Sequence, residues 1–324
     1  MPAARGATGG EAGSAALRFG RMLACLVYGL LALSVMDATA DSSGRELASY
    51  YDRHMALVQG VAYGWTGRGA PQRQRSGVVQ VGVSRDHFLA LLDDGTLVTW
   101  GDAPGAGERP TVLAGNGNRF AAGASGWFLI DRRQALWHGT DFSGATPPRL
   151  LAQNVMAACI GDSADYFITA DGALHVHGLA HRGQYGDGRL TGSAGFVATA
   201  SEAVAVRAHT GHAIHLRSDG VVMGTGGNRF GPLSSHGLGD KADRWGRIFD
   251  GARAIATGSR HSLAIRSDGS LWAWGEGFAT LPRRLRDGVV AVAAGDTATI
   301  AFTSEGKLWQ WDGGEAPRLL VLRS

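Results

Sequence analysis

Cysteine, lysine and long apolar runs are all scarce in this sequence of 324 residues. The two cysteines, Cys25 and Cys159, allow at most one intrachain disulfide, which excludes a disulfide-stapled scaffold. Lysine occurs only at Lys241 and Lys307, and the formal net charge of the chain is +3. So small an excess of basic residues, without a basic tail, argues against a nucleic-acid partner.

The one long apolar run, at residues 22–36, follows Arg18 and Arg21 and is soon followed by small residues ending at Ala40. It is shorter than the roughly 20 residues needed to span a bilayer as a helix. The pattern is typical of a secretory signal peptide at residues 1–40, cleaved after Ala40. The mature chain, residues 41–324, is then expected to be periplasmic or secreted, with no membrane segment. An uncleaved membrane anchor is the alternative.

Glycine, in contrast, is abundant: the chain has 50 glycines, about twice the usual share of about 7%. Residues 258–277 read GSRHSLAIRSDGSLWAWGEG, in which two alternating segments flank an Asp-Gly pair. Such a pattern predicts a β-hairpin. His261 lies seven residues before Asp268, and Trp274 lies six residues after it.

The same phrase recurs, in more or less complete form, seven times along the chain. Its turn position falls at residues 59, 94, 133, 171, 219, 268 and 305, an average spacing of about 40 residues. Each unit reads as a small-residue strand, a second strand, the turn, a third strand that often carries tryptophan, and a fourth segment, often led by proline. Four short strands per repeat predict an all-β fold, a seven-bladed β-propeller of four-stranded antiparallel blades.

The two ends of the chain complete this pattern. Residues 44–54 occupy the position of a first strand, and residues 316–322 that of a fourth strand. Pairing of these terminal segments is expected to close the ring and to leave no open sheet edge. Residues 41–324 are thus expected to form one domain, and the protein to be a monomer.

The repeated residues are interpreted as architecture. We expect the histidines to be packed and hydrogen bonded, the tryptophans to fill the blade cores, and the glycines to form turns. The positions are His54, His87, His212 and His261; Trp65, Trp100, Trp274 and Trp311; and Gly95, Gly172, Gly220, Gly269 and Gly306.

The repeat resembles that of the regulator of chromosome condensation family, which runs as Gly-x-x-His-(Ser/Thr)-x-Ala-Leu, an Asp-Gly turn, then Trp-Gly-x-Asn-x-x-Gly-Gln-Leu-Gly. Residues 258–277 match its first part, and residues 177–188 and 224–240 match its last part. The resemblance extends over residues 46–324. It implies a seven-bladed propeller, here an exported bacterial-type member of a family widely used for protein binding. The nucleotide-exchange activity of the nuclear namesake is not expected beside an export signal.

The sequence carries few features that are typical of catalysis or metal binding. Histidine is dense in two neighbouring units, at His175, His177, His181, His209, His212 and His215. No cysteine or carboxylate completes a metal set there, so no metal site is predicted. The sequence has no Gly-x-Ser-x-Gly elbow and no recognisable carboxylate pair, so neither an enzyme nor a cofactor is predicted.

The longest loops, at residues 178–200 and 226–250, carry residue types that are favoured at binding hot spots. The candidate contact residues are Arg182, Tyr185, Arg229, Phe230, Arg244 and Trp245. We therefore expect an exported scaffold or inhibitor that binds an envelope or extracellular protein through one face. A carbohydrate-binding propeller is the alternative, and a hydrolase or lyase is less favoured. Each candidate could instead be an ordinary loop residue, with Tyr185 and Phe230 packed on their own blades.

Overall fold

The computed structural model of the protein describes residues 44–101, 109–234, 239–313 and 315–322. The predicted signal peptide at residues 1–40 lies outside these ranges. Within them, no helix is long and apolar enough to cross a membrane.

The described residues form seven four-stranded antiparallel sheets, in each of which sequential strands pair with one another. Blade 1 contains β1 (Glu46–Tyr50), β2 (Arg53–Val58), β3 (Val61–Thr66) and β4 (Gln72–Ser76). Blade 2 contains β5 (Val78–Val83), β6 (Phe88–Leu92), β7 (Leu97–Trp100) and β8 (Thr111–Ala114). Blade 3 contains β9 (Gly117–Gly123), β10 (Gly126–Asp131), β11 (Leu136–Gly139) and β12 (Arg149–Ala152). Blade 4 contains β13 (Val155–Ile160), β14 (Ala164–Thr169), β15 (Leu174–Gly178) and β16 (Val197–Ala200).

The remaining three blades follow the same order. Blade 5 contains β17 (Ala203–Ala208), β18 (His212–Arg217), β19 (Val222–Gly227) and β20 (Lys241–Phe249). Blade 6 contains β21 (Ala252–Thr257), β22 (His261–Arg266), β23 (Leu271–Gly275) and β24 (Arg283–Arg286). Blade 7 contains β25 (Val289–Ala294), β26 (Ala298–Thr303), β27 (Leu308–Asp312) and β28 (Arg318–Leu320). The predicted seven-bladed β-propeller is therefore confirmed.

All seven turn positions lie between the second and third strands of a blade, as the repeat predicts. In blade 6 the Oδ1 atom of Asp268 accepts a hydrogen bond from the backbone N of Ser270 at 2.8 Å. The next residue, Gly269, has φ +80°, a left-handed conformation that other residues reach only with strain. The five predicted turn glycines share this conformation, with φ between +78° and +90°.

The repeated tryptophans and histidines lie where neighbouring blades meet. Trp274 is fully buried, donates from Nε1 to the carbonyl of Pro232 in blade 5 at 2.7 Å, and stacks on Phe249. Trp65 and Trp311 are also buried, whereas Trp100 is half-buried. A buried indole that spans two blades ties them together, because its contacts are lost if the blades separate.

The buried histidines form hydrogen bonds with hydroxyl groups. His212 of blade 5 pairs with the hydroxyl of Ser262 in blade 6 at 3.0 Å, and His261 of blade 6 with that of Thr299 in blade 7 at 3.2 Å. His54 bonds within its own blade to Ser49 at 2.8 Å. His87 is half-buried and stacks on Phe142.

The ring closes where blade 7 meets blade 1, but the two chain ends do not pair as strands. β1 pairs with β2 and β28 pairs with β27, so each terminal strand belongs to its own sheet. The expected strand pairing of the ends is therefore corrected to side-chain packing between complete blades. Trp65 donates from Nε1 to Gln310 Oε1 at 3.2 Å, within a buried cluster that includes Leu320. Arg68 adds an ion pair with Glu315 at 2.8 Å.

The order of strands gives the ring two different faces. The seven hairpins between second and third strands lie on one face, here called the turn face. The connections from first to second and from third to fourth strands lie on the other, here called the loop face. The long predicted loops, 178–200 and 226–250, are shorter than expected, because their ends form strands β16 and β20; the connections that precede these two strands belong to the loop face. The first strands of the blades surround an axial channel.

Candidate functional site

A groove on the loop face brings together three of the six predicted contact residues. It encloses about 510 Å³ across blades 4, 5 and 6. We call it the cationic groove, and its basic and aromatic lining consists of Arg182, Arg229, Phe230, Lys241 and Arg260.

Phe230 lies at the centre of the charged side chains. Its side chain is 38% exposed, and the Cζ atoms of Arg260 and Arg229 lie 4.5 and 5.8 Å from its ring centroid. Arg260 also pairs with Glu276 at 3.0 Å. Arg182 and Arg229 are exposed and have no carboxylate partner among the described residues. The lining also includes the acidic Asp240, so the basic side chains of the groove outnumber the carboxylates that line it and leave it with a net positive charge.

The loop that carries Arg229 and Phe230 is held from both sides. The amide of Asn228 accepts a hydrogen bond from the backbone N of Leu233 and donates one to the carbonyl of Gly239, each at 3.1 Å. The carbonyl of Pro232 accepts from Trp274 and from Ser262 in blade 6. The same tryptophan that joins blades 5 and 6 thus helps to position residues 228–233, which carry Arg229 and Phe230.

The other three predicted contact residues lie outside the groove. Tyr185 is fully buried and bonds to Gly178 and Ser193, so it stabilises its own loop and offers no contact surface. Trp245 is half-buried against His215, with ring centroids 4.7 Å apart. The assignment of Tyr185 as a contact residue is therefore corrected, because its ring is fully buried. Trp245 packs against the cluster of blades 4 and 5 but keeps part of its surface exposed, so its contact role stays a prediction. Arg244 is exposed but lies beside Asp187, to whose carbonyl it donates at 3.5 Å.

Two groove residues, Lys241 and Arg260, were not predicted as contacts. Arg260 belongs to the repeated phrase that the sequence identifies as architecture, directly before the buried His261. In an extended segment, the side chains of neighbouring residues point in opposite directions. The histidine expected to be buried at position 261 therefore indicates that Arg260 faces the surface, which is the signal that could have identified it. Lys241 begins β20, a strand that occupies the second part of the predicted loop 226–250.

The loop-face mouth of the axial channel is bridged by side chains from opposite blades. The hydroxyl groups of Tyr50 and Tyr51 in blade 1 both donate to the carboxylate of Asp162 in blade 4, that of Tyr51 at 2.9 Å. His209 stacks on Tyr50, with ring centroids 4.8 Å apart. Burial raises the pKa of Tyr50, and the adjacent Asp162 carboxylate raises it further. These phenols stay protonated and bridge the channel mouth.

The dense histidines do not assemble into a metal centre. Within the described ranges, no group of three or more histidine, cysteine or acidic side chains has an arrangement suited to a metal ion. Burial lowers the pKa of His212 to about 3, that of His215 to about 4 and that of His261 to about 4. These imidazoles are neutral at pH 7 and act as packed hydrogen-bonding groups.

Cys159 is the free thiol of the described chain. It is 8% exposed, and burial raises its pKa to about 12. Reactivity requires the thiolate, so in this environment Cys159 serves as a small buried hydrophobe.

The fold and its hairpin motif define a class, the seven-bladed β-propellers with hydrogen-bonded histidines and buried tryptophans between the blades. The Regulator of chromosome condensation (RCC1) repeat matches residues 78–103 and 252–278, which fall in blades 2 and 6. Two of the seven blades therefore match this repeat by sequence, and all seven share the propeller fold.

Among known proteins, Protein pim1 of Schizosaccharomyces pombe is 26% identical over 225 residues, which cover 61% of this chain. The match spans only 37% of the length of that protein. The structure of Prp20p from Saccharomyces cerevisiae has a TM-score of 0.64 at 16% identity, covering 81% of this chain and 83% of that one. Human WBSCR16 has a TM-score of 0.54 at 15% identity, covering 86% and 83%. Likeness at such low identity shows the shared fold alone.

Proposed function

We propose that this protein is an exported scaffold or inhibitor that binds a partner protein through the cationic groove of its loop face. The partner is an acidic segment of an envelope or extracellular protein. The apolar run at residues 22–36 supports export, and the mature chain acts as a rigid ring that positions the loops.

The observation that carries this proposal is the combination of Phe230 with arginines that lack a carboxylate partner in the described structure. An exposed aromatic ring and arginines are the side chains that most often dominate binding energy. Charged groups at the edge of a groove accelerate association with an oppositely charged partner. An acidic chain carrying an apolar or aromatic residue matches both features.

The relatives support protein binding as a use of this fold. Prp20p has been reported to bind Gsp1p and histones. Loops vary more freely than the sheets that hold them, so partner identity is not expected to follow from the shared fold.

An affinity capture tests the proposal. The native ring and an Arg182→Ala/Arg229→Ala/Phe230→Ala variant are immobilised side by side and exposed to envelope and secreted fractions of the source organism. Retained proteins are identified by mass spectrometry. We expect at least one acidic protein to be retained by the native ring and lost from the variant.

The matched control replaces exposed basic residues on the turn face, as Arg133→Ala/Arg247→Ala. It should retain the same protein as the native ring. Equal retention by the groove variant would refute the assignment of this face. Retention on a polysaccharide matrix in place of any protein would favour the carbohydrate-binding alternative.

A further inference from the structure

A second cavity, separate from the cationic groove, lies between blades 3 and 4. It encloses about 140 Å³, similar to an engineered cavity of about 150 Å³ that admits benzene. Two rows of side chains line it, each crossing three adjacent chain segments of one blade. The blade 3 row is Phe128, His138 and Arg149, and the blade 4 row is Asp165, His177 and Phe196.

The cavity occupies the place where the repeat puts tryptophan. His177 lies six residues after the turn position 171, as Trp274 does after 268 and Trp311 after 305. In blade 6 that indole is fully buried and fills the junction with blade 5. An imidazole is smaller than an indole, so its presence in blade 4 leaves a space at the equivalent junction. The same substitution gives the space a polar lining.

Two polar atoms in this lining are buried and have no hydrogen-bond partner within the described part of the chain. They are Oδ1 of Asp165 and Nε2 of His138. Such atoms are rare in native proteins, because each loses its hydration without compensation. Both can accept hydrogen bonds, Nε2 when the imidazole carries its proton on Nδ1. Arg149, exposed at the outer end of the blade 3 row, has no described carboxylate partner.

We propose that this cavity binds a small zwitterion of amino-acid size, with its ammonium group at Asp165 and His138 and its carboxylate at Arg149. An ammonium group brings three donors, which satisfies both unpartnered acceptors. A guanidinium is the preferred partner of a carboxylate, because its fork matches two oxygens. Phe128 and Phe196 form apolar walls that admit a small side chain. This binding role is independent of the cationic groove.

The protonation of Asp165 gives this site a pH dependence. Burial raises the pKa of its carboxyl group to about 7. The ammonium group pairs with the ionised form, so affinity should rise as the pH increases from 5.5 to 8. The other titratable groups around it are His138, His177 and Arg149, with Cys159 on β13. Burial lowers the pKa of His138, and protonation of its ring at low pH repels an ammonium group, which acts in the same direction.

Calorimetric titration of the full-length protein with glycine, L-alanine and L-serine tests the site. Acetate and methylammonium serve as probes that each carry only one of the two charges. We expect at least one amino acid to bind, and each single-charge probe to bind about tenfold or more weakly. Asp165→Asn and Arg149→Gln should each weaken amino-acid binding about tenfold to hundredfold.

His177→Trp supplies the decisive variant, because it restores the side chain of the repeat. Its indole should fill the cavity, raise the melting temperature and abolish binding. The matched control is Arg133→Gln, which replaces an exposed arginine of blade 3 on the turn face and should leave binding unchanged. The proposal is overturned if no amino acid binds the native protein, or if the His177→Trp variant binds as well as the native protein. Equal binding of acetate or methylammonium alone would also overturn it.

Discussion

At the scale of single residues, the buried histidines have a protonation state fixed by their surroundings. His212 lies between two blades with one hydroxyl partner, and burial is the main reason that its pKa falls to about 3. An unfolded histidine has a pKa of about 6.5. The neutral folded form therefore contributes stability that is fully present above pH 6.5 and is lost as the pH falls from 6.5 toward 3.

This gives a prediction for His212→Gln. Below pH 6.5, each such histidine should lower the free energy of unfolding of the native protein by about 1.4 kcal/mol per pH unit. Between pH 7.5 and pH 5, the free energy of unfolding of the native protein should thus fall by about 2 kcal/mol more than that of the variant. Urea denaturation at the two pH values measures the difference. Equal losses in both proteins would contradict the neutral, buried state.

A second residue-scale prediction concerns Gln134, which takes the turn position of glycine in blade 3. Its φ is +62°, in the left-handed region that disfavours side chains with a Cβ atom. Gln134→Gly should therefore raise the free energy of unfolding by about 0.5–1 kcal/mol. Gly269→Gln places a side chain in the same conformation in blade 6 and should lower stability by a similar amount. A stabilising effect of Gly269→Gln would refute the explanation.

At the scale of the structural elements, the junction between blades depends on its tryptophan. Trp274 is fully buried and bonds to Pro232 of the neighbouring blade. Trp274→Ala should lower the free energy of unfolding by about 3–5 kcal/mol. Trp100 is the half-buried equivalent tryptophan in blade 2, so Trp100→Ala should lower the free energy of unfolding clearly less. Chemical denaturation of both variants measures this, and similar costs for the two would contradict a role set by burial.

Local sequence rules explain why the hairpins could be predicted and the loops could not. Every turn position recurs in phase with alternating strands, so the second and third strands of each blade were identifiable. The worn copy around Arg133 was located by spacing, although Gln134 replaces the glycine. Loops obey no period, and their side chains are placed by contacts with other blades. Tyr185 was assigned to the surface because nothing in the sequence shows that its ring is enclosed by its own loop and the neighbouring strands.

At the scale of the whole molecule, the ring depends on a junction that joins the two ends of the chain. β1 and β28 each pair inside their own blade, so closure relies on packing around Trp65 and on its bond to Gln310. Deletion of residues 316–324 removes β28 and Leu320 from that junction. We expect a single cooperative unfolding transition at a lower temperature, because opening one junction exposes both neighbouring blades. If most of the ring of the deletion variant still unfolded at the melting temperature of the native protein, the ring would not be a single cooperative unit.

The functional site also belongs to this scale, since the cationic groove draws residues from blades 4, 5 and 6. Arg182, Arg229 and Phe230 were predicted from loop length and residue type. Arg260 and Lys241 join them only through the curvature of the ring. Part of the groove could therefore be predicted from the sequence. Its net charge and its shape could not, because they depend on how the fold places residues of three blades side by side.

Binding of an acidic segment by the cationic groove can be measured by titration of the native protein with a glutamate-rich peptide containing one phenylalanine. The titration is performed at about 0.05 M and about 0.5 M salt, because screening shortens the range of exposed charges. We expect binding that weakens at high salt, is reduced at least about tenfold by Arg229→Glu, and is unchanged by Arg133→Glu on the turn face. Equal affinity of the native protein and the Arg229→Glu variant would contradict this expectation.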